Sequence, residues 1–401
     1  MLRTFKYRLY LNSSQQEDIR KNIDACRFVY NWALEKSTAA YKKDNTTLSA
    51  YDLHAMLPEL KEEHIFLKDA YSQSEQQAVR RVCKARQNFF RRVKQGDKKP
   101  GYPKFRSSRY HRQTFDIPQN VKVDFEKRKT YLPKIGWVKT IFHRRFKGTV
   151  KTCTVISSDI GRYFICIVVE DGKSPPKKKR VTKKKSIGID VGLKTYATTS
   201  NGEKIENPRY LQSKLKRVQC LQRRLSRKTK GSQNREKARI RYGKCHEKIA
   251  NQRRDFQQKL STKLVVENQA IMVETLNISG MVKNRRLSRA ISDAAWSYFF
   301  SMLRYKSELY GMTLVEIGMF EPTTKLCHKC GFKNGSLTLK DREWTCPECK
   351  TDHDRDVNAA INIKMIGLKT VMASRGPREE PVELSAMAGA KKQEANYFSS
   401  G

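Results

Sequence analysis

The chain has 401 residues, enough for about two or three domains with cores of their own. Its 83 Lys and Arg stand against 40 Asp and Glu, a formal charge of +43, and an excess of that size repels itself unless a polyanion, most commonly nucleic acid, neutralises it. No run approaches the roughly 18 apolar residues of a membrane-spanning helix, and MLRTFKYRLY has no signal-peptide pattern. These features argue against a membrane protein and predict a cytoplasmic one, or a nuclear one in a eukaryote; association with the nucleoid when bound to DNA is the further expectation if the nucleic acid is a prokaryotic genome.

In chain order, FKYRLYL at residues 5–11 alternates apolar and basic residues, the pattern of a strand with one apolar face. Asn12, Ser13 and Ser14 offer a cap for a helix that runs to about residue 41. Ile19, Ile23, Cys26, Val29, Tyr30 and Ala33 fall on one face of it, a core stripe. A second helix is predicted over 72–95, with seven Arg and Lys beside Phe89 and Phe90. Two such helices in so basic a chain favour a nucleic-acid groove over merely solvated faces.

GDKKPGYP at 96–103 ends the helices, and short β-type runs follow: QTFDI, VKVDF, KTYLP, GWVKTIF, GTVKTCTVISS and RYFICIVVE. They predict a small barrel or sandwich. The strand at 5–11 has no local partner, so it is expected to join these later strands, with the helices as an insertion. DGKSPPKKKRVTKKK at 171–185 is a Pro-containing basic linker, read as phosphate-contacting in preference to a nuclear localisation signal, and a domain boundary is expected near 185.

SIGIDVGLKTYATTSNGEKI at 186–205 reads as a strand, a tight turn, a second strand and an Asn201-Gly202 hairpin turn. Asp190 lies inside the apolar run Ile187, Ile189, Val191, where a carboxylate is costly to bury without a compensating cation. A basic helical pair follows, broken at Lys230-Gly231-Ser232. The next strand, QAIMVETLNIS, places Glu274 after Ile271, Met272 and Val273 and repeats the Asp190 situation. A single helix is expected over 285–310, with Trp296, Phe299, Phe300 and Leu303 in the core, and MTLVEIG at 312–318 is one more strand. The order of elements is mixed α/β.

Cys327, Cys330, Cys346 and Cys349 form two Cys-x-x-Cys pairs separated by fifteen residues, a spacing that closes four thiolates on one tetrahedral zinc. Cys26, Cys83, Cys153, Cys166, Cys220 and Cys245 are scattered and read as small core residues. The cage leads directly into DHDRDVNAAINI, which carries Asp354 and Asp356 at the start of a helix. Asp190, Glu274 and Asp356 are thus far apart in sequence, each at an element edge. Carboxylates gathered in this way hold two Mg²⁺ ions about 3.5–4 Å apart for phosphodiester hydrolysis, so the chain reads as a candidate nuclease.

GIDVGLKTYA, VETL, CHKCG with CPEC, and DRDVNAAINI, in that order, resemble TnpB, the transposon-encoded RNA-guided DNA nuclease related to type V CRISPR effectors. The resemblance extends to FKYRLYLN, CRFVYNWAL, NFFRRVKQ with GYPKFR, NQRRDFQQKLS, ISDAAW and KKQEAN, and so covers nearly the whole chain. One departure is EPTTKLCHKCG, where the family commonly has a Pro-Ser-Ser run. The resemblance implies a multidomain α+β chain: a wedge-type β-barrel (1–12 and 100–172) with a helical recognition insertion (13–99), and a basic linker (173–185). Beyond it would lie a RuvC-like, RNase H-type nuclease (186–322 and 352–370) with an inserted zinc ribbon (323–351), then a flexible tail (371–401).

It also implies Asp190, Glu274 and Asp356 as the catalytic, Mg²⁺-holding acids and Cys327, Cys330, Cys346 and Cys349 as ligands of a structural Zn²⁺. The implied partners are a guide RNA and double-stranded target DNA read beside a short flanking motif, with one monomer per RNA and no membrane. Tyr51 and Gln76 fall where the flanking-motif readers would lie, and Arg80, Arg81 and Lys84 are further candidate nucleic-acid contacts. An RNA-guided repressor without cleavage and a small CRISPR-associated effector are the alternatives. All three acids are present, which favours an active enzyme.

Overall fold

The computed structural model describes residues 1–108, 113–319, 321–338 and 341–373. KKQEAN and the tail expected to be flexible fall at least in part outside these residues. The chain divides into two units, Met1–Ser174 with Lys228–Lys244, and Pro175–Arg227 with Cys245 onward.

In the first unit, strand β1 (Leu2–Tyr10) is followed by helices α1 (Ser13–Asp44), α2 (Ala50–Ala55) and α3 (Leu57–Glu63), a 3-10 turn (Ile65–Asp69) and α4 (Ser72–Lys94). Strands β2 (Gln113–Ile117), β3 (Lys122–Asp124), β4 (Lys129–Leu132), β5 (Gly136–Ile141), β6 (Thr149–Ser157) and β7 (Tyr163–Glu170) complete it. These strands form one seven-stranded sheet in the order β2-β6-β7-β1-β5-β4-β3. The unpartnered first strand does lie among the later ones: β1 pairs antiparallel with β7, Leu2 opposite Glu170 through Leu9 opposite Tyr163, and with β5 on its other side. Tyr7 and Leu9, two residues apart, point into the core.

Asn12 starts α1 through a capping box, its Oδ1 accepting from Gln15 N–H at 2.8 Å while Gln15 Oε1 accepts from Asn12 N–H at 3.3 Å. Every residue of the expected α1 stripe is buried. The short elements between residues 50 and 69 were not foreseen, because each is too brief to show a period. Buried Leu53, Leu57, Leu60 and Leu67 join them to the same core.

The second unit contains β8 (Ser186–Val191), β9 (Thr195–Thr199), β10 (Lys204–Glu206), α5 (Tyr210–Ser213), α6 (Leu215–Ser226) and the long α7 (Gln233–Glu267), whose first turns group with the first unit. It continues with β11 (Ala270–Glu274), α8 (Ile278–Met281), α9 (Ser288–Ala294), α10 (Trp296–Tyr310) and β12 (Thr313–Ile317). The chain then forms β13 (Glu343–Thr345), β14 (Asp352–Asp354) and α11 (Arg355–Ala373). The sheet order is β10-β9-β8-β11-β12, with β8, β11 and β12 mutually parallel where they pair.

Strand alternation sorts this sheet's residues into two cores. Ile187, Ile189, Ile271 and Val273 face α7 and α10, packing with Leu260, Leu264, Phe299 and Leu303. Ala270, Met272 and Ile317 face the other way, against Ile363 and Leu368 of α11.

The single helix expected over 285–310 is two, broken at Ala295, which adopts a left-handed φ of 52°. Nothing in its residue type announces the break. Gln257 Nε2 donates to the carbonyls of Ala294 and Ala295 at 2.9 and 3.1 Å, satisfying groups that an uninterrupted helix would use itself. Asp293 caps α5 by accepting from Leu211 N–H at 2.9 Å and pairs with Arg253 at 2.7 Å. NQRRDFQQKLS and ISDAAW therefore meet as one structural joint.

Candidate functional site

β8 and β11 run parallel with Gly188 opposite Met272 and Ile189 opposite Val273. One step further along both strands sets Asp190 beside Glu274, at the roughly 4.8 Å spacing of neighbouring strands and on the same face. That face is the one α11 covers. The helix lies so close that a Cβ on Gly188 would stand 2.1 Å from Ala360 O and 2.6 Å from Lys364 N, so glycine is required there. Asp356 precedes Ala360 by about one helical turn, at the start of α11.

The electrostatics register this convergence. Burial, then the negative charges of Asp356 and Glu274, push the Asp190 carboxyl up to about 7, with Arg355 opposing them in part. Burial raises Glu274 as well. Like-charged carboxylates brought together in a half-buried site are a donor set that fits a divalent cation. The two acids of the DRD segment have different surroundings. Asp354 Oδ1 caps α11 by accepting from Asp356 N–H and Val357 N–H, each at 3.0 Å, and Asp354 Oδ2 pairs with Lys204 at 2.6 Å. Asp356 contacts Arg342 at 3.3 Å and Arg355 at 3.6 Å. Beside Glu274 opens a cleft of about 260 Å³ lined also by Asn277, Ser279, Ser297, Arg304 and Glu316.

Among the described residues, the four cysteines are the group of potential metal ligands whose donor atoms all lie within 4.8 Å of one another, and the carboxylates are not gathered so tightly. Cys327 Sγ lies 3.7 Å from Cys349 Sγ, and Cys330 Sγ lies 3.6 Å from Cys346 Sγ. Four sulfurs at about 2.3 Å from one tetrahedral zinc would be roughly 3.8 Å apart, so the cage has the size of a zinc site. Trp344 and Phe332 pack against it.

Sequence reasoning missed the residues that join the cage to α11. Asn358 and Asn362 are buried on that helix and bond to the chain around Cys327, while His353 Nε2 lies 3.1 Å from Cys327 Sγ. Two asparagines four residues apart in an otherwise Ala- and Ile-rich helix were the available signal.

Of the nucleic-acid contacts expected in the first unit, Tyr51 is 82% exposed on α2, and Arg80 and Lys84 are exposed on α4. Gln76 is half-buried, its carbonyl 3.1 Å from His54 Nε2. Arg81 turns inward, pairing with Asp116 and donating to Thr114 Oγ1 at 3.2 Å, because β2 brings an acid against that face of α4.

These two units, with their separate sheets and a cysteine cage leading into α11, define a mixed α/β protein with the fold of the Cas12 effectors. A solved complex of Cas12f1 with its single guide RNA and target DNA superposes with a TM-score of 0.54 at 14% identity, covering 91% of this chain and 98% of that one. Residues 164–285 match the OrfB/IS605 family model described as "Probable transposase", residues 1–46 its helix-turn-helix domain, and residues 296–363 the Cas12f1-like TNB domain. A protein of Streptomyces pristinaespiralis named as an RNA-guided DNA endonuclease is 37% identical over 407 residues, covering 100% of this chain and 98% of that protein. InsQ of Escherichia coli (strain K12), named likewise, is 30% identical over 96% of this chain and 98% of its own length. The chain belongs to the OrfB/IS605 (TnpB) family.

Proposed function

We propose that this chain is an RNA-guided DNA endonuclease of a transposable element, hydrolysing phosphodiesters with Asp190, Glu274 and Asp356 as its catalytic carboxylates. The observation that carries the reading is the convergence of three acids from two adjacent strands and one helix, where burial and then the charges of Asp356 and Glu274 raise Asp190 to about 7. Relatives over the full length bear the same activity in their names.

Asp190 and Glu274 would hold Mg²⁺ from the sheet and Asp356 from the helix above it. Bound there, Mg²⁺ supplies the positive charge that activates a water and stabilises the leaving oxygen of the phosphodiester. The protein's own part is to fix three carboxylates on rigid elements, so that little reorganisation remains when substrate arrives. Asp354, committed to capping α11 and to Lys204, keeps that helix start in register and is not a ligand on this reading. Cys327, Cys330, Cys346 and Cys349 hold a structural Zn²⁺ in a ribbon-like insertion over 323–351.

The partners on this reading are one guide RNA per chain and double-stranded target DNA, with base pairing choosing the sequence and the basic surface supplying affinity. The first unit corresponds to a wedge-type barrel (1–12 and 100–172) with a recognition insertion (13–99), a basic linker spans 173–185, and the nuclease occupies 186–322 and 352–370. Among the described residues no helix is long and apolar enough to cross a membrane.

The experiment is to purify the chain with its co-purifying RNA, sequence that RNA, and offer DNA matching it. Mg²⁺-dependent double-strand cleavage directed by the RNA is expected. A complex that carries no defined RNA and leaves matching DNA intact would overturn the proposal.

A further inference from the structure

Asn358 and Asn362 stand one turn apart on α11, 1% and 3% exposed. Asn358 Nδ2 donates to Leu326 O at 2.8 Å, and Asn362 Nδ2 donates to Leu326 O at 2.6 Å and to Thr323 O at 2.8 Å. On its other side, Asn358 Oδ1 accepts from the backbone N–H of His328 at 3.0 Å and lies 2.9 Å from His328 Nδ1. One amide therefore grips the residues on both sides of Cys327. The cage is tied to the same helix by a second route: His353 Nε2 is 3.1 Å from Cys327 Sγ, and the next residue, Asp354, caps α11. Buried amides satisfied on both ends form a specific joint, because breaking it orphans a carbonyl and an N–H together.

We propose that Asn358 is a positioning residue through which occupancy of the cysteine cage sets the place of Asp356. A metal ion in the cage fixes the Leu326–His328 segment, Asn358 fixes the first turn of α11 to that segment, and Asp356, two residues before it, is thereby held near Asp190 and Glu274. With the cage empty, that turn loosens and the acid moves out of register. This rests on the reading of the cage as a zinc site and of Asp356 as a catalytic carboxylate.

The test uses the full chain with its guide RNA and compares wild type, Asn358→Ala and Asn358→Asp. Zinc content, hydrogen–deuterium exchange over residues 352–362 and cleavage rate are followed with and without 1,10-phenanthroline, which leaves Mg²⁺ in solution. In wild type, stripping zinc should speed exchange in the first turns of α11 and slow cleavage, and zinc should restore both. Asn358→Ala that still holds zinc should exchange fast already and respond little to the chelator. Its cleavage rate should fall by about 100-fold, the usual cost of an ångström-scale misplacement, with target affinity unchanged. Asn358→Asp keeps the acceptor for His328 and should recover part of the rate. Zinc removal that leaves α11 exchange unchanged in wild type overturns the coupling without reliance on any variant. A zinc-loaded Asn358→Ala that cleaves like wild type overturns it as well. Should Asp356→Ala cleave normally, the catalytic assignment fails instead, and the exchange result stands apart from it.

Discussion

Gly188→Ala is a single methyl placed at the contact between the strand that carries Asp190 and the helix that carries Asp356. The new Cβ would lie 2.1 Å from Ala360 O, 2.6 Å from Lys364 N and 2.9 Å from Lys364 Cβ. Two of these three are backbone atoms of a helix held by the joint at Asn358, so no flexible side chain can swing aside. Restoring ordinary contact requires α11 to move by more than an ångström. Overpacking of this kind costs about 1–3 kcal/mol, and removing a strand glycine returns up to ~1 kcal/mol through the unfolded chain. A net loss of about 1–2 kcal/mol should lower the melting temperature by roughly 2–8 °C. The same displacement separates Asp356 from Asp190 and should cut the cleavage rate by about 100-fold while guide-directed DNA binding persists. Calorimetry of the zinc-loaded protein and single-turnover cleavage read the two effects separately. Gly188→Ala that melts and cleaves like wild type would refute the packing of α11 on β8 described here.

Lys306 is buried between α10 and α7, donating to Gln258 O at 2.9 Å and to Ser261 Oγ and Thr262 Oγ1 at 2.7 Å each, and burial lowers it to about 8 from 10.5. Between those values the unfolded chain holds a proton that the folded one has shed, so stability should rise with pH across that window, by at most ~3 kcal/mol. Lys306→Met should flatten the rise in urea midpoints, and an equal slope in the variant would argue against it. Asp354→Asn should cost about 1 kcal/mol as a weakened cap yet keep most of the cleavage rate, whereas Asp356→Asn should abolish cleavage; the reverse order of effects would exchange their roles. Metal analysis should find about one zinc per chain, and Cys327→Ser should lose it and destabilise the insertion; folded protein free of zinc would contradict the cage.

The sheet strands and the long helices were legible because each carries an unbroken period: the α1 stripe and the alternation of β8 are written in adjacent residues. The three acids could be singled out because a carboxylate inside an apolar strand, as at Asp190, has few inexpensive explanations. What remained hidden depends on contacts across sequence. Ala295 breaks a helix through bonds supplied by Gln257, some forty residues away. The ion pair of Arg81 with Asp116 depends on β2 being brought against α4. Asn358 reads as an ordinary polar residue on a helix until the cage folds back onto it. The capping role of Asp354 is likewise a matter of geometry, since it and Asp356 are aspartates of one short motif and the bonds from Asp356 N–H and Val357 N–H go to Asp354 alone.

The central claim is that Asp190, Glu274 and Asp356 together perform the cleavage. It is tested most directly by single-turnover cleavage of guide-matched DNA in Mg²⁺ by wild type and by Asp190→Ala, Glu274→Ala and Asp356→Ala, each loaded with the same RNA. All three variants are expected to bind the target and none to cut it. Full cleavage by any one of them would contradict it.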